Sequence, residues 1–354
     1  MARKLDLSTF NFSEEQIRAV NEIIFDQLAE APELSALHSF WTGIEYKKEV
    51  GFITDHGMVG KKRQGCNPTP HDWNINTRKV TWDPQGWEVY LDECADDLED
   101  TAAVYARNHG VRINDLTDTD YMAIVVEVLG KAIKEALIRI VWFGDVNATN
   151  YVSGGSGIIT SGISTDYFDI LDGFFKQLQI AVTGGAKTVT IAANSQASKA
   201  AQLAGMTPQV AYDILTEAYF ALDPLVRAAG KVRFLVTQTI ADAYQQYLVG
   251  KNLESTYKNL TDGVKALTIH GVDVVPVPLW DKMIQSYNDL GTTFYKPHRF
   301  VLAEQENLAV GIPSEEVLTE VDVWYEKKER KNYMLASDAI DAKLLNDTRI
   351  VYGQ

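Results

Sequence analysis

The chain has 354 residues, 46% hydrophobic and 23% charged, a composition typical of a globular protein with two or three domains. Its formal charge of −15 argues against sequence-independent nucleic-acid binding, which needs a basic surface, but allows a protein that encloses nucleic acid without gripping it. The two cysteines have no CxxC spacing and favour a reducing compartment, and we expect neither a signal peptide nor a membrane span.

The first predicted element is a helix that follows an arm without clear periodicity. Ser13 and Gln16 form a capping box, and the apolar face continues to about Glu30, before Pro32 ends the helix. One amphipathic helix beside an arm cannot bury its own apolar stripe. We therefore expect this helix to dock on the body of the subunit or on another copy.

Residues 45–95 are predicted to form a long β-hairpin or extended loop. Glycines and prolines interrupt the segment too often for a long helix, and the short strand-like pieces EVGFI, RKVTW and GWEVYL lie between them. A loop of this length is unusual inside a compact domain, but it is expected if the segment projects and packs against a neighbour. Little core is available there, so we expect Trp73, Trp82 and Trp87 to be exposed at a subunit interface.

Charge is segregated along this part of the chain. Residues 45–80 hold seven lysines and arginines against four acids, whereas residues 83–100 hold eight acids and no base. One interpretation is two solvated faces; the other is a basic tip that meets the acidic base of an adjacent copy. The second interpretation predicts inter-subunit contacts at the three tryptophans and at Lys61, Lys62, Arg63, Asp92, Glu93, Asp96 and Asp97.

The longest periodic segment, residues 120–143, predicts a helix about 36 Å long. Apolar side chains recur at the spacing of one helix face, and Glu127, Lys131, Glu135 and Arg139 lie off that stripe with alternating charge. The apolar stripe is wide, so the helix should lie on a sheet. The strand pattern at 317–325, which alternates with period two, supplies that sheet from the far end of the chain.

The remaining elements are predicted from capping signals and short apolar runs. The Thr207-Pro208 and Asp223-Pro224 pairs begin two helices or one kinked helix. VRFLVT is a buried strand, TIADAYQQYLVG is a helix that Gly250 ends, and HGVDVVPVPLW is a strand entered from a tight turn. RFVLAE and NLAVGI are shorter strands, and we expect YMLAS and TRIVYG to pair with the alternating strand.

A search for catalytic, metal and nucleotide motifs finds none with the required spacing. The six histidines are scattered, and TGGAKT lacks the contiguous Gly-Lys-Thr of a phosphate-binding loop because Ala186 intervenes. SGGSGIITSG lacks the GxGxxG spacing of a dinucleotide site. Asp145, Asn147 and Asn150 are an incomplete calcium ligand set and fit a loop with Asx turns better. We predict no catalytic residue, no metal and no cofactor.

These pieces, in this order, resemble the major capsid proteins of tailed bacteriophages, which have the Hong Kong 97-type fold. KVRFLVTQTIADAYQQYL is similar to the strand-then-helix pair of that family's axial domain, and LTIHGVDVVPVPLWDKMI to its valine-rich strand. HRFVLAEQENLAVGIPSEE and DVWYEKKERKNYMLASDAIDAKLLNDTRIVY are similar to its final strands. The resemblance covers nearly the whole chain in element order, and the pattern is especially similar to phages of Bacteroidetes-type hosts.

The resemblance implies an α+β capsid fold in four parts. They are an N-terminal arm and helix (1–44), an extended β-hairpin loop (45–95), a peripheral domain with a long spine helix (96–165 and 316–354) and an axial α/β domain (166–315). It implies a shell protein of the virion without enzyme activity, assembled in the bacterial cytoplasm as pentamers and hexamers around double-stranded DNA. Its partners would be further copies of itself and portal, scaffolding or decoration proteins, with no membrane.

Two alternatives stay open at this point. An encapsulin-type compartment has the same fold, and a gene neighbourhood with portal and terminase genes, as opposed to a cargo enzyme, would separate the two. An αβ enzyme or ligand-binding protein using residues 183–300 would need convergent polar groups in a pocket, which the sequence does not assemble.

Overall fold

The structure is a computed structural model that describes residues 3–4, 34–55, 62, 76–94, 120–153, 155–251, 258–259, 265–313 and 321–354. The predicted N-terminal helix at 13–30 lies outside these residues. So do five predicted contact residues, which are Lys61, Arg63, Trp73, Asp96 and Asp97.

The described elements are those of an α+β protein, as predicted. The helices are α1 (Leu34–Leu37), α2 (Asp120–Phe143), α3 (Phe174–Thr183), α4 (Lys199–Gly205), α5 (Pro208–Ala221), α6 (Pro224–Ala229), α7 (Gln238–Gly250) and α8 (Pro278–Tyr287). The strands are β1 (Arg3–Lys4), β2 (Ser39–Trp41), β3 (Lys48–Asp55), β4 (Asn76–Trp82), β5 (Gln85–Cys94), β6 (Lys187–Val189), β7 (Val232–Val236), β8 (Lys258–Asn259), β9 (Lys265–Ile269), β10 (Val272–Pro276), β11 (Phe300–Glu304), β12 (Leu308–Gly311), β13 (Asp322–Glu326), β14 (Lys331–Leu344) and β15 (Val351–Gly353).

A six-stranded sheet joins distant parts of the chain around β14. Strand β5 pairs antiparallel with β14 along one edge, while β13 and β12 share the other edge. Strand β2 extends the sheet beyond β12, and β1 lies parallel to β5. The predicted alternating strand at 317–325 overlaps β13, while its first part, at 317–320, lies outside the described residues. The prediction that YMLAS pairs with this strand is confirmed.

A seven-stranded sheet has the order β6-β15-β11-β7-β10-β9-β8. The last strand of the chain, β15, pairs with β11 and β6, so the prediction that TRIVYG pairs with the alternating strand is wrong. All three residues of β15 are buried, which fits the interior of a sheet covered on both faces better than a half-exposed sheet. Position 353 in β15 requires glycine, because a Cβ at this position would lie 2.0 Å from the Phe300 ring.

The predicted caps of α5 and α6 and the predicted turn before β10 are confirmed, whereas the Ser13–Gln16 capping box lies outside the described residues and Gly250 is the last residue inside α7. The side chains of Thr207 and Asp223 accept hydrogen bonds from backbone N–H groups in the first turns of α5 and α6, which are two separate helices. Gly230 ends α6 with a φ of 68°. His270 and Gly271, both at positive φ, make the tight turn between β9 and β10.

The described segment that precedes the hairpin, residues 34–44, packs on the subunit's own body. Both Nη atoms of Arg233 in β7 donate to carbonyls in α1, at 2.8 Å to Ala36 and 2.6 Å to Leu37. His38 is buried and stacks on Phe174, with ring centroids 5.3 Å apart. These contacts fix the end of the predicted arm against the seven-stranded sheet and α3.

Helix α2 has the predicted bounds and lies in the larger hydrophobic core. Ile133, Leu137 and Ile140 are buried there with Trp87 from β5 and with side chains of β14, so the helix shares its core with the sheet that contains the alternating strand. The helix and the six-stranded sheet that contains β13 therefore contribute side chains to one hydrophobic core. In the last two turns of α2, side chains on more than one face of the helix are buried. The reason is that α3 and α8 contribute Phe175 and other side chains to the same core.

The charged stripe of α2 follows the prediction only in part. Glu127 and Lys131 form the predicted i,i+4 pair at 3.1 Å, whereas Glu135 pairs with Lys282 of α8 at 2.7 Å. Arg139 lies 5.2 Å from the centroid of the Tyr167 ring, and burial lowers the pKa of its guanidinium. The solvated stripe thus ends before the helix does.

A buried polar network joins the start of α7 to the segment before β11. The His298 ring lies 2.8 Å from the Thr239 hydroxyl through Nδ1 and 2.9 Å from the Gln202 carbonyl through Nε2, and burial lowers its pKa. On the other side of α7, the Asp281 carboxylate accepts a 2.6 Å hydrogen bond from the Gln238 backbone N–H, and burial raises its pKa to about 6. In the folded protein His298 therefore favours the neutral imidazole, and Asp281 favours the neutral, protonated carboxyl group.

These two groups should give the free energy of unfolding opposite dependences on pH. The stabilisation from neutral His298 is complete above its unfolded pKa of about 6.5 and is lost as the pH falls towards the lowered folded value. The contribution of Asp281 is complete below its unfolded pKa of 3.8 and is lost as the pH rises through about 6. Urea unfolding between about pH 5 and about pH 7 should show a flatter or reversed slope for His298→Asn and a steeper rise with pH for Asp281→Asn. Identical slopes in both variants and the parent would contradict this.

Candidate subunit interface

Strands β3 and β4 form a two-stranded antiparallel sheet of their own. The pairing runs from Lys48 opposite Trp82 to Asp55 opposite Asn76. A two-stranded hairpin is marginally stable at best in water, so contacts outside it must hold it in place. Most of its described side chains are exposed or half-buried, so the hairpin offers surface for another molecule.

The hairpin is anchored at its base by Trp82. This indole is fully buried against Ile44 and Ala309, and its ring centroid lies 5.9 Å from that of Trp41. Gly311 of β12 makes room for it, because a Cβ there would lie 2.6 Å from the Trp82 ring. The anchor therefore depends on a close approach between the hairpin and the six-stranded sheet.

Polar contacts reinforce this anchor. Arg78 of β4 pairs with Asp347 at 2.6 Å, and the backbone N–H of Asp83 donates to the Asp341 carboxylate at 2.7 Å. Asp341 is buried, and its burial raises the pKa of this carboxyl although Lys343 opposes the shift. The hairpin base is thus held by a buried indole and two polar contacts to the last fifty residues of the chain.

The structure corrects the predicted exposure of Trp82 and Trp87. Both are buried inside the subunit, Trp82 at the hairpin base and Trp87 in the core shared with α2. Trp82 is buried because Ile44, Ala309 and Gly311 pack around its ring. Trp87 is buried because β5, which the sequence placed in the projecting loop, pairs with β14 along its whole length. Alternate side chains of such a strand must face the core.

Asp92 is also less available than predicted. Only 6% of it is exposed, and it pairs with Lys331 of the same subunit. Glu93 follows it in β5, and Lys62 is exposed. Inter-subunit contact therefore stays a prediction for the proposed contact residues other than Trp82, Trp87 and Asp92.

An aromatic surface on the six-stranded sheet was missed by the sequence analysis. Tyr90 of β5 stacks on Tyr333 of β14, and Tyr333 stacks on Trp324 of β13, with ring centroids 5.6 and 5.5 Å apart. Tyr90 and Trp324 are 40% and 37% exposed. The period-two pattern placed Trp324 on one face of its strand, but only the pairing of three strands reveals the continuous stack.

The sequence motifs that suggested ligands have structural roles. In the TGGAKT segment, Gly184 and Gly185 follow the end of α3, whereas a phosphate-binding loop precedes a helix. Asp145 accepts from the backbone N–H of Asn147 at 2.9 Å, which confirms the Asx turn. In the part of the chain that the structure describes, three or more His, Cys, Asp or Glu side chains nowhere gather to hold a metal, and no helix is long and apolar enough to cross a membrane.

Comparisons with known proteins find similar proteins by structure alone. A scan against protein-family models and a search of curated proteins both find no match. A chain of the satellite phage P4 procapsid, which includes the size determination (Sid) protein, matches with a TM-score of 0.50 and 12% identity over 93% of this chain and 96% of that one. The capsid of the native GTA particle matches with a TM-score of 0.50 and 12% identity over 94% of this chain and 91% of that one. The capsid of Myoviridae phage XM1 matches with a TM-score of 0.50 and 10% identity over 99% of each chain. At these identities the likeness establishes the fold, which is that of phage capsid chains.

Proposed function

We propose that this chain is a major capsid protein of the Hong Kong 97 type, from a tailed phage of a Bacteroidetes-type host. The observation that carries the proposal is the likeness in fold to phage capsid chains along nearly the whole of both chains. In this proposal the chain has a structural role without catalysis. It assembles in the bacterial cytoplasm into pentamers and hexamers of an icosahedral shell that encloses double-stranded DNA.

The proposed division into four parts has specific support in the fold. The separate β3–β4 sheet supports an extended loop within 45–95, and α2 with the six-stranded sheet supports a peripheral domain from 96–165 and 316–354. A second core around the seven-stranded sheet supports an axial domain at 166–315. Strand β15 then returns from the peripheral part to complete the axial sheet. The arm and helix, 1–44, would contact both the subunit and its neighbours.

Assembly would bury surfaces that the isolated subunit leaves open. The β3–β4 hairpin and the partly exposed rings of Tyr90 and Trp324 are surfaces of this kind. Association contributes to apparent stability by mass action, and head-to-tail contacts around a rotation axis close into rings. The net charge of −15 suits a wall that encloses DNA without binding it strongly. Portal, scaffolding or decoration proteins would be the further partners.

The proposal is tested by expressing the full chain and examining it by sizing chromatography and negative-stain microscopy. Closed shells or rings of five and six subunits are expected. A strictly monomeric species at every salt concentration, at every pH and with added assembly factors would contradict the proposal. Shells recovered from the native source that contain a folded enzyme in place of DNA would favour an encapsulin-type compartment.

Reversing the charge of Lys61, Lys62 and Arg63 to glutamate should weaken assembly more at low salt than at high salt. Exposed charges interact over about 30 Å at 0.01 M salt but only about 8 Å at 0.15 M. Each exposed pair is worth only ~0–1 kcal/mol, but the contact repeats across the shell. Light scattering during assembly measures the effect, and the charge-conserving variant Lys61→Arg, Lys62→Arg, Arg63→Lys is the control. Equal assembly of both variants at low salt would show that the basic tip and the acidic base do not meet.

A further inference from the structure

Arg299 is a buried cation whose described partners are all neutral. Only 2% of the residue is exposed. Its Nε donates to the Lys296 carbonyl at 2.8 Å, and its Nη2 donates to the Tyr295 carbonyl at 2.7 Å and lies 3.4 Å from the Asn288 side-chain oxygen. Among the described residues, none of the ion pairs includes this guanidinium. Its charge is therefore hydrogen-bonded but not neutralised.

Aromatic rings surround the same guanidinium. Its Cζ lies 4.6 Å from the ring centroid of Phe175 and 5.5 Å from those of Phe143 and Tyr295. Ring faces attract a cation through their quadrupole, but they carry no net charge. A buried charge without a counter-ion is costly, so a mobile anion beside it would be stabilised.

A small cavity lies beside Arg299. Its volume is about 20 Å³, which is enough for one water molecule or an ion of similar size. The other charged residues that line it are Lys176 and Asp145, which pair with each other at 2.7 Å. The second oxygen of Asp145 accepts from the backbone N–H of Asn147, so this carboxylate is already satisfied. Two cations and one carboxylate give the lining a net charge of +1.

We propose that this cavity, the Arg299 cavity, binds one small monovalent anion, with chloride as the physiological ligand. The single net positive charge of the lining fits a monovalent ion, and a cavity with room for about one water molecule fits a monatomic ion better than phosphate or sulfate. The cavity is lined by the end of α2, by α3 and by the segment before β11, so the bound ion would hold these three parts together. The site does not depend on the proposed capsid function, because every group that forms it belongs to one subunit.

Binding should make the subunit harder to unfold in chloride than in an anion too large to enter. For a dissociation constant of about 20 mM, the unfolding equilibrium constant of the full chain in about 0.2 M sodium chloride should be about tenfold smaller than in equal sodium gluconate. Urea unfolding in the two salts measures this ratio. Crystals grown in bromide should in addition show an anomalous peak in the cavity.

Two charge variants that leave Arg299 intact should move this ratio in opposite directions. Lys176→Met makes the lining neutral and should bring the ratio to about one, while Asp145→Asn makes it +2 and should increase the ratio. Lys282→Met, which breaks the Lys282–Glu135 pair outside the cavity, is the matched control and should keep the parent ratio. A parent ratio of one, an unchanged ratio in both cavity variants, or no bromide peak would overturn the proposal. If Lys176→Met does not fold, Asp145→Asn and the bromide peak decide.

Discussion

Gly144→Ala is expected to lower the free energy of unfolding by about 3 kcal/mol, since overpacking a close-packed site costs about 1–3 kcal/mol or more. A Cβ at Gly144 would lie 2.4 Å from the Leu171 carbonyl oxygen and 2.6 Å from that of Ile140. Both contacts are with backbone, which cannot turn aside as a side chain can. Hydrogen bonds fix that backbone, because the Gly144 N–H donates to Ile140 at 3.1 Å and the Gly173 N–H donates to Gly144 at 2.9 Å.

Gly130→Ala is the matched control, because it makes the same change inside α2, the helix that Gly144 directly follows, without a clash. A Cβ at Gly130 would meet nothing within 4 Å. Alanine is favoured over glycine inside a helix by about 0.8–1.0 kcal/mol, so this variant should be more stable than the parent. The free energies of unfolding of the two variants, measured in urea, should therefore lie on either side of the value for the parent protein. A Gly144→Ala variant as stable as the parent would show that the residue after α2 and the segment before α3, at Leu171 to Gly173, do not approach so closely.

This close approach also shows which features the sequence could predict. The bounds of α2, the caps of α5 and α6 and the strand-helix pair β7–α7 were predicted correctly, because each depends on residues close together in the chain. The contact between Gly144 and Gly173 depends on two loops that meet only in the folded chain. Glycine itself signals freedom of the backbone, and no local pattern tells a close approach from an ordinary turn.

The errors at the candidate interface have the same origin. Nothing near β5 in the sequence indicates that it pairs with β14, more than two hundred residues later, so Trp87 was assigned to a projecting surface and not to the core. The partners of β15 were missed for the same reason. Trp82 was correctly placed at the hairpin, but its buried anchor needs Gly311 from a distant strand. Local periodicity predicts elements; it does not predict which elements pair.

The anchor at Trp82 makes it possible to remove the hairpin without removing its base. Glu49 and Thr81 are paired across β3 and β4, so an Asn-Gly dipeptide can join them in place of residues 50–80 as a two-residue type I′ turn. The shortened chain keeps Trp82 and the Asp83–Asp341 hydrogen bond, and it loses the Arg78–Asp347 pair. It also loses buried Val80 and the contacts of Val50 and Phe52 with the Trp82 cluster and Trp41. We expect it to fold cooperatively, with a loss of stability of about 2–4 kcal/mol, as for one partly exposed ion pair and the burial of one or two apolar side chains.

The shortened chain is nevertheless expected to form no shells, because the proposed function assigns the deleted hairpin to contacts between subunits. Sizing chromatography and negative-stain microscopy should show only small species under conditions in which the parent assembles. The exchange Glu49→Lys, Lys79→Glu is the control, since it keeps the hairpin, its cross-strand pair and the net charge, and this variant should still assemble. Shells formed by the shortened chain would show that the hairpin is dispensable, and would leave the aromatic stack of Tyr90, Tyr333 and Trp324 as the stronger candidate for the subunit contact.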